Sequence, residues 1–192
     1  MEPISALPDG ITVEELARRI KAGQIELQRL LGALPVLVFK PKVDEHQSPV
    51  YNTPEDGSEL PEPGDTSVLQ RGKGFELDTV LRTAVVVPLT VTNRNLHEDR
   101  VLIGRSASCD IRLVSPLVSK LHACVMVEEE EGAGWRLADQ GSSNGTRVNG
   151  IELDPKRLYR LRPNDEVLFG DVTALFLDGE GLEQLCALVP DD

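Results

Sequence analysis

From Ala84 to about residue 178 the apolar positions fall in short runs, AVVVPLTVT, RVLIG, HACVMVE, WRLAD, LYRL, EVLFG and TALFL, separated by turn-forming clusters. Short runs rich in Val, Leu, Ile and aromatics at this spacing predict strands, with little helical pattern between them. Gly132-Ala133-Gly134 joins two runs as a hairpin turn does, and Asn149-Gly150 supplies the dipeptide of a tight two-residue turn. The expected fold class is all-β, a β-sandwich of short antiparallel strands over residues 84–178, within the size range of such domains.

The chain before these runs has another period. Leu16, Ile20, Leu27, Leu30, Leu31 and Leu34 follow helical spacing, and Thr12 with Glu15 forms a capping box. A small helical segment is therefore expected within residues 1–43, read either as one helix or as two meeting at Gly23. One apolar stripe does not choose between docking on the protein's own core and a dimer seam, so oligomeric state stays open. Residues 44–67 carry seven acidic residues, four prolines and no Lys or Arg. Such a stretch buries too little apolar surface to offset its ordering entropy, so residues 44–83 read as an acidic, Pro-rich, disordered linker. Within it, FELDTVLR over 75–82 reads as a short helix or as a lead-in. The tail, 179–192, is expected to add a turn or two of helix.

Charge narrows the function. With 20 Lys and Arg against 32 Asp and Glu, the net charge is −12. Whole-protein attraction to nucleic acid is thereby disfavoured. Apolar stretches such as LPVLVF at 34–39 are too short for membrane insertion, and MEPISALPDG lacks a basic-then-apolar signal, so a cytoplasmic protein is expected. Cys109, Cys124 and Cys186 have no disulfide or zinc spacing and read as buried thiols. The run Glu128–Glu131 reads as a solvated hairpin end, while His46 and His97 lack partners at ligand spacing. No metal and no cofactor are expected.

The stretch Gly141-Ser142-Ser143-Asn144-Gly145 matches G-x-S-x-G, which elsewhere marks a nucleophilic serine between a strand and a helix. Here NGTRVNGIEL follows, a turn and then a short strand. Ser143 is therefore not read as a nucleophile, and the chain is not expected to be an enzyme. Three segments taken in order explain the stretch better: Gly104-Arg105-Ser106, Ser119-Lys120-Leu121-His122 and Asn144-Gly145-Thr146-Arg147-Val148-Asn149-Gly150. Each falls at a strand end or loop, where a rigid sandwich presents binding groups. In this order and spacing they resemble the forkhead-associated (FHA) domain, a phosphothreonine-peptide reader, over residues 84–178.

Phosphate chemistry accounts for the same residue types. A phosphorylated side chain carries close to two negative charges and three acceptor oxygens. Arg105 offers a planar fork for two of them, Ser119 a hydroxyl donor, and Lys120 reads equally as a helping charge or a solvated one. Asn144 carries both donor and acceptor, suited to a peptide backbone. The resemblance implies phosphate contact at Arg105 and Ser119, frequent contact at Ser143, and peptide-backbone contact at Asn144. Gly104, His122, Gly145, Thr146 and Asn149 are expected to support the binding loops. Taken singly, Arg105 would be an ordinary surface arginine and Ser119 a loop cap.

The function so implied is a phosphothreonine-dependent interaction module, an adaptor or regulator in Ser/Thr kinase signalling. Its partner would be a phosphothreonine-containing protein, the Ser/Thr protein kinase or its substrate. Thr53 and Thr66, in the linker, are candidate phosphosites. The alternative is a phosphate-independent assembly module in a larger complex. Such a module would typically lack the arginine or the asparagine that this chain keeps.

Overall fold

Two β-sheets, one of them covered by helices, make up the structure, a computed structural model describing residues 10–23, 35–40, 81–128 and 134–190. The seven-stranded sheet runs β1 (Ile11–Thr12), β3 (Val85–Pro88), β2 (Val36–Phe39), β12 (Val172–Leu177), β11 (Glu166–Phe169), β8 (Thr146–Val148) and β9 (Ile151–Glu152). The five-stranded sheet runs β10 (Tyr159–Arg160), β7 (Gly134–Asp139), β6 (Ala123–Glu128), β4 (Arg100–Gly104) and β5 (Ile111–Arg112). Neighbours are antiparallel throughout, with one exception. β4 and β5 run parallel, with Ile103 opposite Ile111. Leu37, Phe39, Val101, Ile103, Val125, Leu137, Val167 and Phe169 lie in the core between the sheets, so the fold is a β-sandwich.

The first strands arise from sequence signals that compete. The strand in AVVVPLTVT ends at Pro88, with one further bond from the Leu89 N–H to the Pro35 carbonyl. Beyond it, the Thr92 N–H and hydroxyl, the Asn95 side-chain amide and the Leu102 N–H all donate to the carboxylate of Asp110, which fixes the connection to β4. The tight turn at 149–150 forms as its dipeptide predicts. Asn149 and Gly150 both take positive φ, 50° and 80°, and bring Val148 opposite Ile151.

The seven-stranded sheet is covered on its second face as well. Helix α1 (Val13–Lys21) is capped by Thr12, whose hydroxyl accepts the Glu15 N–H, with Glu14 and Glu15 in its first turn and Arg18, Arg19 and Lys21 in its last. That charge order complements the helix dipole. Helix α2 (Gly179–Ala187) begins at Asp178, which accepts the Gly181 N–H. The two helices bury Val13, Leu16, Ala17, Leu182 and Cys186 against Val36, Val38, Val86 and Leu177, making a second core. Burial pushes the Cys186 thiol up to about 11, so it stays protonated and inert.

Residues 1–43, expected to form a helical segment, contain helix α1 and also the strand β2 at 36–39. β2 lies between β3 and β12, with Phe39 opposite both Val85 and Ala174. Its four residues are all buried because Leu37 and Phe39 face the other sheet while Val36 and Val38 face the helices. A strand covered on both faces has no polar alternation, so its apolar run carries no period that separates it from a buried helix. The boundary expected at residue 84 thus runs between two hydrogen-bonded strands. Gly23 ends the described part of the first helical stripe; residues 24–34, linker residues 44–80, and the phosphosite candidates Thr53 and Thr66 lie outside the described residues.

Candidate phosphopeptide site

Four connections meet at one end of the sandwich: β4 to β5, β5 to β6, β7 to β8, and β11 to β12. The β5–β6 connection is the hub. Its Ser119 carbonyl accepts the Arg105 N–H at 2.9 Å and its Lys120 carbonyl accepts the Ser106 N–H at 3.0 Å. Gly104 lets the two connections approach this closely, since a Cβ there would collide with the Lys120 carbonyl oxygen. Arg105 lies exposed on this surface. Its Nε donates to the Val118 carbonyl at 3.1 Å, and its two terminal nitrogens have no hydrogen-bond partner among the described residues.

The β7–β8 connection closes on the same hub. Ser143 N–H donates to Ser119 Oγ at 3.0 Å, the two hydroxyls are 3.5 Å apart, and Asn144 Nδ2 donates to the Leu117 carbonyl at 2.8 Å. Arg105, Ser119, Ser143 and Asn144 are thus gathered around residues 117–119, with the last two exposed. The Lys120 side chain is exposed beside them and makes no hydrogen bond among the described residues. Ser143 faces a hydroxyl rather than an imidazole, and β8 follows it directly. The surroundings of a nucleophile elbow are missing.

His122 holds these connections together from below. Its fully buried ring accepts the Ser119 N–H at Nδ1 (3.1 Å), so the proton sits on Nε2, which donates to the Gly145 carbonyl at 3.1 Å. Gly145 also accepts the Gly170 N–H, which ties in the β11–β12 turn, and Phe169 meets the imidazole edge-on at 6.1 Å. Burial lowers the pKa of His122 from its ordinary 6.5, outweighing the Gly145 carbonyl that would raise it. The unfolded chain therefore binds the proton first. Stability from the neutral ring is fully present above pH 6.5 and declines as pH falls from there toward the folded-state value. The unfolding free energy from urea melts should fall between pH 7 and pH 5.5, with a slope of at most about 1.4 kcal/mol per pH unit, and His122→Gln should flatten that slope. An unchanged slope in His122→Gln would count against this role.

Asp139 is the principal residue that the sequence reading left unassigned. Buried at the end of β7, it accepts the Gly141 and Ser142 N–H groups at 2.8 and 2.9 Å and the Ser142 and Thr146 hydroxyls at 2.6 Å each. Burial alone would raise its pKa, but those donors together hold the carboxyl below its usual 3.8. It shapes the 140–146 connection that presents Ser143 and Asn144. Thr146 is the buried first residue of β8, and its hydroxyl ties that strand to Asp139. Asn149 stands apart from the site. It lies at the far end of β8, where it bonds Asp165 and the backbone of Glu166. Its support goes to that end of the sheet, not to the binding loops. Among the described residues no group of three or more His, Cys, Asp or Glu is placed to hold a metal, and no helix is long and apolar enough to cross a membrane.

The FHA domain family matches residues 101–170. Proliferation marker protein Ki-67 of Mus musculus is 40% identical over 78 residues, 41% of this chain and 2% of that protein. Among solved structures, the MEK1 FHA domain in complex with a HOP1 phosphothreonine peptide is 24% identical with a TM-score of 0.40, covering 48% of this chain and 87% of that one. Full-length yeast Pml1p is 17% identical with a TM-score of 0.48, covering 92% and 97%. The chain spans only 2 to 15% of the length of the first curated relatives it matches.

Proposed function

We propose that this chain, whose residues 101–170 are an FHA domain, is a phosphothreonine-dependent interaction module without catalytic activity, acting as an adaptor or regulator in Ser/Thr kinase signalling. The observation that carries the reading is the convergence of Arg105, Ser119, Ser143 and Asn144 on residues 117–119. A phosphate set there meets a guanidinium with two unused terminal nitrogens and two hydroxyls, while the Asn144 carboxamide faces a flanking peptide bond. Charge-assisted hydrogen bonds contribute about 1.5–3 kcal/mol each, so three of them support about micromolar affinity after association costs. Lys120 adds a long-range charge.

Thr53 and Thr66 are proposed as phosphosites whose esters compete for the same loops. Lys40 N–H donates to the Thr173 carbonyl, next to the β11–β12 turn at the site's end of the sheet. Thr53 follows Lys40 by 13 residues, a span of up to about 45 Å. Titration calorimetry of the full chain with matched peptides tests the main reading. Micromolar binding to the phosphothreonine form and none to the unphosphorylated form is expected. Equal binding of both would favour a phosphate-independent assembly module.

A further inference from the structure

A cleft of about 200 Å³ lies beside the site, between the edge strand β5 and the end of β3. Val87, Pro88 and Ile111 give it an apolar floor, and Arg94, Arg112 and Asp110 supply its charged groups. Arg94 and Arg112 are both exposed and line the same small cleft. The carboxylate available here, Asp110, is already engaged by four donors from the 92–102 region. Among the described residues neither Arg94 nor Arg112 forms an ion pair, in a chain whose net charge is −12. Arg94 makes no side-chain hydrogen bond there. The Arg112 side chain makes a single long one, Nε to the Arg105 carbonyl at 3.4 Å. Arg112 is also in register with Gly104, directly before Arg105. Arg112 thus links the cleft to the backbone of the arginine assigned to phosphate.

We propose that this cleft is a second anionic subsite for the same peptide: Arg94 and Arg112 take an acidic or phosphorylated side chain flanking the phosphothreonine. This inference rests on the proposed function and narrows it to phosphopeptides with negatively charged flanks. The apolar floor receives the aliphatic stem of a Glu or the carbon frame of a phosphoresidue, and the guanidiniums hold its head. The preference would run against the protein's overall charge, which by itself repels an acidic peptide. A preference for acid is therefore diagnostic of a local site.

The test uses the full chain and three peptides carrying one central phosphothreonine. Their flanks on both sides are glutamine, glutamate, or glutamine with one phosphoserine on each side. Wild type is expected to bind the glutamate peptide about fivefold to tenfold more tightly than the glutamine peptide, and the phosphoserine peptide at least as tightly as the glutamate one. The double variant Arg94→Gln/Arg112→Gln should bring all three affinities together while leaving that for the glutamine peptide within about twofold. Glutamine at 112 keeps a donor for the Arg105 carbonyl. Arg157→Gln, which removes an exposed charge paired with Asp154, should preserve the preference. A preference retained in the double variant, or lost equally in Arg157→Gln, would overturn the cleft alone. So would an equal drop for every peptide. Wild type that binds none of the three would overturn the proposed function itself and this inference with it.

Discussion

Arg105→Ala is expected to weaken binding of a phosphothreonine peptide by at least about 100-fold while moving the thermal midpoint by no more than a few degrees. The size follows from the geometry. The two terminal nitrogens of Arg105 are unused within the described structure, and each charge-assisted bond they form is worth about 1.5–3 kcal/mol. Partial exposure of the site discounts those figures, yet two bonds still exceed the roughly 2.7 kcal/mol of a 100-fold change. The small stability effect follows from exposure. The side chain gives up one bond to the Val118 carbonyl and no core contact. Arg105→Lys should fall between, since the charge stays but the planar fork is lost. Peptide titration paired with thermal melts reads both quantities. A large loss of stability alongside the loss of binding would reassign Arg105 to the scaffold.

The largest stability effect is expected from removing the N-terminal residues. A chain beginning at Ala84 keeps every residue assigned to the peptide site, yet it loses β1, α1 and β2. β3 and β12 each lose the strand β2 that pairs along four of their residues. Leu37 and Phe39 leave the core between the sheets, and Val13, Leu16, Val36, Val38 and Leu81 leave the second core. Truncating one buried Leu or Phe costs about 2–5 kcal/mol, and a domain's whole stability is about 5–15 kcal/mol. The shortened chain should therefore lack a cooperative melt, and the bared edges of β3 and β12 should make it aggregate. Circular dichroism and size exclusion check this. A cooperative melt matching that of the full chain would show that residues 1–83 are dispensable for the fold.

That second prediction marks where sequence reasoning stopped. The strands from residue 100 onward apart from β5, the Thr12 cap and the Asn149-Gly150 turn were legible, because each rests on local chemistry within a few residues. β2 was not. Its partners β3 and β12 lie across a segment of more than 40 residues and across most of the chain, and its two covered faces erase the alternation that identifies a strand. The site divides in the same way. Gly104, Arg105, Ser119, His122, Ser143, Asn144 and Gly145 sit in motifs whose spacing marks them. Asp139 carries no such mark, since a lone aspartate at a strand end reads like any other. Its task appears only once the 140–146 connection folds over it. Asp110 and the paired arginines of the cleft are equally silent in sequence, because distant residues meet there. Asn149 was drawn in by its motif, though it works at the other end of β8.

Following backbone amide shifts of the isotopically labelled full chain during titration with a phosphothreonine peptide tests the central claim most directly. The amides of Arg105, Ser119, Ser143 and Asn144 should shift together and saturate with one dissociation constant, while the matched unphosphorylated peptide leaves all four in place. Saturating shifts confined to the helices or the sheet faces, with these four amides unmoved, would contradict it.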